Sequence, residues 1–139
     1  MFGTNRTVHW SLLVLTTIAC GGIYFWIVPG SIAVGDTATA VYYVLIGWIP
    51  FTLIFYLLGR LTTDPEGLPS MRPATSGAVI VVLSLLISIG LDSWGLSPSA
   101  APEAHLLQGA GVFLGLALLG WGIGKRSEAI ANLYESETI

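Results

Sequence analysis

The chain has 139 residues, of which 54% are apolar and only 9% charged, with a net charge of −3. Soluble domains carry about 25% charged residues, so an ordinary water-soluble globule or enzyme is excluded. The acidic balance offers no basic patch for a nucleic-acid backbone, and the length fits a single domain, 1–139, placed in lipid.

A membrane-spanning helix needs about 20 mostly apolar residues, and four stretches meet that need. The first runs over 8–28 and is expected to close at Pro29-Gly30-Ser31. Within it, Thr17-Ile18-Ala19-Cys20 loosely resembles a lipoprotein cleavage site, which would leave Cys20 lipidated and the first helix removed. Thr17 stands where such sites place Leu, and the apolar run continues to Trp26. The other reading of Cys20 is a small buried apolar side chain; as the only cysteine it forms no internal disulfide and no Cys-rich metal cluster.

The second span covers 40–59, with Asp36-Thr37 offering an N-cap ahead of it. Pro50, with Gly47 before it, removes a ladder hydrogen bond to Ile46 and is a candidate hinge. Thr52 or a neighbouring helix is expected to compensate. Asp64-Pro65-Glu66-Gly67 reads as a turn into the third span, 77–96, which Ser97-Pro98 is expected to end. Pro102-Glu103 suits the first turn of the fourth span, 104–123, where a missing N–H is harmless and an anion is favoured. The tail over 125–139 repeats Ile130, Leu133 and Tyr134 at helical spacing, extending that helix with one apolar stripe.

The expected fold is therefore all-α, a four-helix transmembrane bundle. Arg6, Arg60, Arg72, Lys125 and Arg126 all fall on one side of it, whereas the loops 29–39 and 97–103 carry no Lys or Arg. The positive-inside rule puts that side, and both termini, in the cytoplasm of a multi-pass protein of the cell membrane. Arg6 to Arg72 and Arg60 to Arg126 are both steps of 66 residues, and Asp36 to Glu103 is 67. Two tandem helical hairpins related by duplication would give such offsets, and so would any two short-looped hairpins of similar length.

Helices in lipid associate through close packing of small residues. The fourth span is rich in them. At 100° per residue Gly111, Gly115 and Gly122 line one stripe, and Ala117, Gly120 and Gly124 line another. Two smooth faces imply contact from both sides, by neighbours within the bundle or by a second protein.

Ionisable residues inside a span are functional candidates by default, and the middle of these spans has none. Asp92, Glu103 and His105 gather near the outer boundary, as a vestibule able to bind a cation or pass a proton, or as interfacial caps in wet headgroups. His9 and His105 lie at opposite boundaries and cannot share a haem. No phosphate loop, zinc-hydrolase helix or nucleophile elbow occurs, so no cofactor, metal or catalytic residue is assigned. The leading expectation is a non-enzymatic membrane protein working by helix packing, as a homo-oligomer or an accessory subunit among other membrane subunits. The alternative is a small transporter or channel, with Pro50 as hinge and Asp92, Glu103 and His105 as its outer vestibule.

Overall fold

The computed structural model describes residues 2–62, 69–97 and 99–138, and the side chains of 6–62, 69–97 and 99–134. The chain runs as α1 (Phe2–Gly22), one π-helical turn (Ile23–Ile27), α2 (Val28–Ala33), α3 (Thr37–Leu61), α4 (Arg72–Ser93) and α5 (Pro102–Thr138). It is all-helical, with four helical segments long and apolar enough to cross a membrane, the first formed by α1, the π turn and α2 together. The turn expected at Asp64-Pro65-Glu66-Gly67, and Pro98, lie outside the described residues.

Pro29 does not end the first span. The π turn precedes it, closed by Val28 N–H reaching back five residues to the Ile23 carbonyl. This wider turn comes just where a proline ring would otherwise press on the preceding ladder, and Pro29 then sits in the first turn of α2, where no N–H is needed. The helix stops instead at Gly35, whose φ is +77°. Gly35 N–H bonds the Ile32 carbonyl and Asp36 N–H bonds that of Ser31, the two bonds of a Schellman cap. The third span ends the same way, earlier than expected. Gly95 has φ +87°, with Gly95 N–H on Asp92 and Leu96 N–H on Leu91, so α4 closes at Ser93 rather than at Ser97-Pro98.

Asp36 caps α3 as its position suggests, accepting from Thr39 N–H at 3.2 Å and from the Thr39 hydroxyl at 2.7 Å. Pro102 opens α5, which continues unbroken through the tail. At 1.5 Å per residue its 37 residues span about 55 Å, well beyond the roughly 30 Å of hydrocarbon.

The helices form an open row in the order α1–α3–α5–α4. Cα atoms of α5 come within 8 Å of both α3 and α4, while α3 and α4 nowhere approach each other that closely. Among the described residues α1 reaches α3 and the adjoining π turn, and neither α4 nor α5. Thr52 lies against Gly120, Tyr56 against Gly124 and Arg60 against Glu128, so α3 and α5 run parallel at a constant separation of 68 residues. The neighbours on either flank are antiparallel. All five basic residues consequently sit at, or in the segments leading to, the end of the molecule that carries the termini.

A single layer has little interior. Leu57, 2% exposed, is the most buried large side chain and clusters with Leu13 and Leu61 where α1 meets α3. Cys20 is buried nearby in sequence, as a small apolar side chain. Phe25, Trp26, Ile49 and Leu106 are each more than two-thirds exposed, a surface suited to hydrocarbon and not to water.

Candidate functional site

The seams of α5 set the frame. A Cβ at Gly115 would meet the backbone of Gly77, one at Gly122 the backbone of Ala74, and one at Gly111 the Ser84 hydroxyl, all on α4. On the opposite stripe, a Cβ at Gly120 would meet the Thr52 carbonyl and one at Gly124 the Tyr56 carbonyl, both on α3. Gly59 on α3 reciprocates against the Trp121 carbonyl. Both glycine faces are thus occupied from within the chain. Gly109 alone among the glycines of this span meets open space.

At the terminal end of the α3–α5 seam lies a polar junction that sequence reasoning missed. Arg60 Nε donates to Glu128 at 2.8 Å, and Arg60 Nη1 donates to the Tyr56 hydroxyl at 3.0 Å. The two charged side chains are 21% and 23% exposed, between full solvation and burial. His9, from α1, lies within electrostatic reach of both. On the other face of the seam the Lys125 ammonium sits 4.5 Å from the centre of the Trp121 ring. Arg60 carries the chemistry here, because its guanidinium has five N–H groups and the described partners use two. Sequence marked Arg60 only as a topological charge and did not single out Glu128, 68 residues away.

Beside this junction the α3–α5 seam opens into a groove of about 530 Å³. Trp48, Ile49, Leu53 and Tyr56 line one wall, and Leu116 and Ile123 the other. Its floor is backbone, where Gly120 lets the two helices close on Thr52. Pro50 lies on the same stretch of α3, which runs through it as one helix. The Thr52 hydroxyl bonds the Trp48 carbonyl at 2.8 Å rather than that of Ile46, so it does not replace the bond that Pro50 omits. Gly47 has a separate reason to be glycine. The Tyr24 ring, delivered by the π turn, occupies the place of its Cβ, and the Tyr24 hydroxyl donates to the Val44 carbonyl at 2.8 Å.

At the end of the molecule away from the termini, the described bonds of His105 go to no carboxylate. His105 bonds the Leu96 carbonyl through Nε2 at 2.7 Å and the Ser88 hydroxyl through Nδ1 at 2.8 Å. A carbonyl only accepts, so Nε2 is the donor, and the imidazole pins the loop between α4 and α5 to both helices. Asp92 and Glu103 are exposed. Among the described residues no three His, Cys, Asp or Glu side chains are grouped to hold a metal ion. The Ser88 partner was hidden because its serine reads like any other span serine that bonds its own helix.

No protein-family model matches the chain, and comparison with curated proteins and with solved structures finds no match to it.

Proposed function

We propose that this chain is a multi-pass membrane protein with cytoplasmic termini that works by helix packing, as a homo-oligomer or an accessory subunit of a membrane complex, and not by bond-making chemistry. The observation that carries this reading is the open row. A single layer of helices, sewn through its middle by glycine contacts, leaves two broad apolar faces and two edge helices for lateral association. Because Gly111, Gly115, Gly120, Gly122 and Gly124 are used internally, the association surface lies elsewhere, on large side chains such as Leu86, Ile89 and Leu106.

The polar groups support the same reading. The charged side chains among the described residues sit at the two ends of the helices, the Thr52 and Tyr24 hydroxyls within the spans are bonded to backbone carbonyls, and the groove beside Pro50 has mostly apolar walls. A transporter needs a wet path past midplane and an enzyme needs convergent titratable groups in a protected pocket. The gathering of the basic residues at the terminal end supports the cytoplasmic sidedness proposed for it.

Extraction in mild detergent, followed by mass measurement of the intact particle and identification of its components, tests the proposal. A particle heavier than the 14.7 kDa chain, dissociated by Leu106→Gln or Ile89→Gln but not by Gly109→Ala, is expected. A monodisperse monomer with no companion across several detergents overturns it. Proton or cation flux in liposomes that falls on Asp92→Asn would establish transport in its place.

A further inference from the structure

The 68-residue register of α3 on α5 holds in the half of the molecule nearest the termini and fails in the other half. Gly109 lies eleven residues before Gly120, and Val41 eleven before Thr52. Eleven residues are three helical turns to within about 20°, so Val41 belongs over Gly109 as Thr52 lies over Gly120. Instead a Cβ at Gly109 would meet nothing within 4 Å, and Val41 is 53% exposed. The two helices have parted here. Phe113, on the same stripe of α5, props them: its ring stands edge-on to Phe51 at 4.9 Å and to Tyr24 at 5.6 Å.

The parting begins where two neighbouring spans are irregular at one depth. Pro50 leaves α3 a ladder bond short, and the π turn, Ile23–Ile27, widens the span beside it. The two irregularities lie side by side, because the Tyr24 ring fills the notch at Gly47, three residues before Pro50. The indole N–H of Trp48, in the same stretch, is buried and has no acceptor among the described residues. An unpaired donor in hydrocarbon is costly, so this arrangement does not satisfy every group at the irregular turn. Beyond it, the Tyr24 hydroxyl bond to Val44 and the packing of α2 on α3 tie one body together. We propose that this body, α2 with residues 37–49 of α3, hinges at Pro50 and the π turn and closes on α5, laying Val41 on Gly109 once the Phe113 ring turns out of the seam. Closure adds a close contact of the kind made at Gly120 and Gly124, the kind that favours association in hydrocarbon. The motion lies within one chain and does not depend on the assembly reading.

The test uses the full chain in mild detergent, with Cys20→Ala so that introduced thiols report alone. Val41→Cys with Gly109→Cys is expected to oxidise to a disulfide, seen as loss of both free thiols. That bond needs Cβ atoms about 3.5–4.5 Å apart, which closure supplies. Pro50→Ala restores the ladder bond, so oxidation slows about tenfold, the scale of one hydrogen bond. Spin labels at Tyr42 and Leu107, both exposed, give two distances in the parent. Gly109→Leu blocks the landing site and removes the shorter distance, whereas Phe113→Ala removes the prop and enriches it. A pair that stays reduced with both thiols open to N-ethylmaleimide, an oxidation rate indifferent to Pro50→Ala, or one distance shared by parent and Gly109→Leu overturns the proposal.

Discussion

The contact of α1 with α3 and the contacts of α5 with its two neighbours are built from opposite materials. Leu13, Leu57 and Leu61 fill the first, with the Tyr24 ring laid over Gly47. The second set brings backbone against backbone, Gly115 on Gly77 and Gly124 on the Tyr56 carbonyl. In water both would gain from burying apolar area, but in hydrocarbon that gain largely vanishes and close van der Waals contact decides. Small residues hold both seams of α5, the one with the edge helix α4 included, and let it be approached closely from two sides. Large residues fill the seam of α1 with α3, at the other edge.

This contrast predicts where substitution hurts most. Gly115→Leu and Gly124→Leu each push a side chain into a neighbour's backbone, which cannot rotate away. Overpacking of this kind costs roughly 3 kcal/mol or more, and these variants should lose the α4–α5 or α3–α5 contact outright. Gly109→Leu, which meets open space, should leave stability within about 1 kcal/mol. Unfolding in mixed micelles ranks all three. A Gly124→Leu protein as stable as the parent would dissolve the distinction between the two kinds of seam.

The leucine seam should be softer. Leu57→Ala removes the most buried large side chain and leaves a cavity, at about 2–3 kcal/mol, the lower end of the range for core truncations. The loss should fall on α1 alone. Cysteine pairs across α1–α3 should then cross-link more slowly while pairs across α3–α5 keep the parent rate. Equal slowing at both seams would mean that the row folds as one cooperative unit.

Much of this architecture was readable from apolar run length and helical spacing. The four spans follow from apolar runs of about 20 residues, the two small-residue stripes from 3.6-residue geometry, and Asp36 is an N-cap in sequence as in structure. The order of the row was not readable, because short loops specify antiparallel pairs and say nothing of which pairs meet. Nor was the π turn, since Pro29-Gly30-Ser31 has the composition of a stop and one wider turn preserves the helix. The repeated 66-residue offset marks only the ends of the hairpins. Gly47 meets Tyr24, yet Gly115, 68 residues on, meets Gly77 and Val81, and the two capping glycines are 60 residues apart. The Arg60–Glu128 pair escaped notice for the same reason as the row, since it exists only once α5 lies parallel to α3.

That pair gives a smaller effect. Arg60→Gln leaves Glu128 half-solvated without its partner, and should cost about 1–2 kcal/mol. The double substitution Arg60→Gln with Glu128→Gln should recover part of the loss, and the difference measures the coupling. Additive losses would show that the two side chains act independently, and that the parallel seam rests on its glycines alone.

The smallest effect concerns the turn that starts the seam. Hydrogen bonds from the Thr39 hydroxyl and then the Thr39 backbone N–H hold the Asp36 carboxyl below its ordinary value of 3.8. A carboxylate bound more tightly in the folded state stabilises the fold above that ordinary value, and the contribution disappears as pH falls through the lowered one. The Thr39 amide resonance should therefore titrate with a midpoint below 3.8, and Asp36→Asn should remove the titration while keeping a capping oxygen. Because Asp36 is fully exposed, the change should stay local, fraying the first turn of α3 and leaving the contacts of Tyr56 and Gly124 as they are. A midpoint at or above 3.8 would mean that the Thr39 bonds do not favour the charged cap, and the start of α3 would then owe its position to the Schellman turn at Gly35.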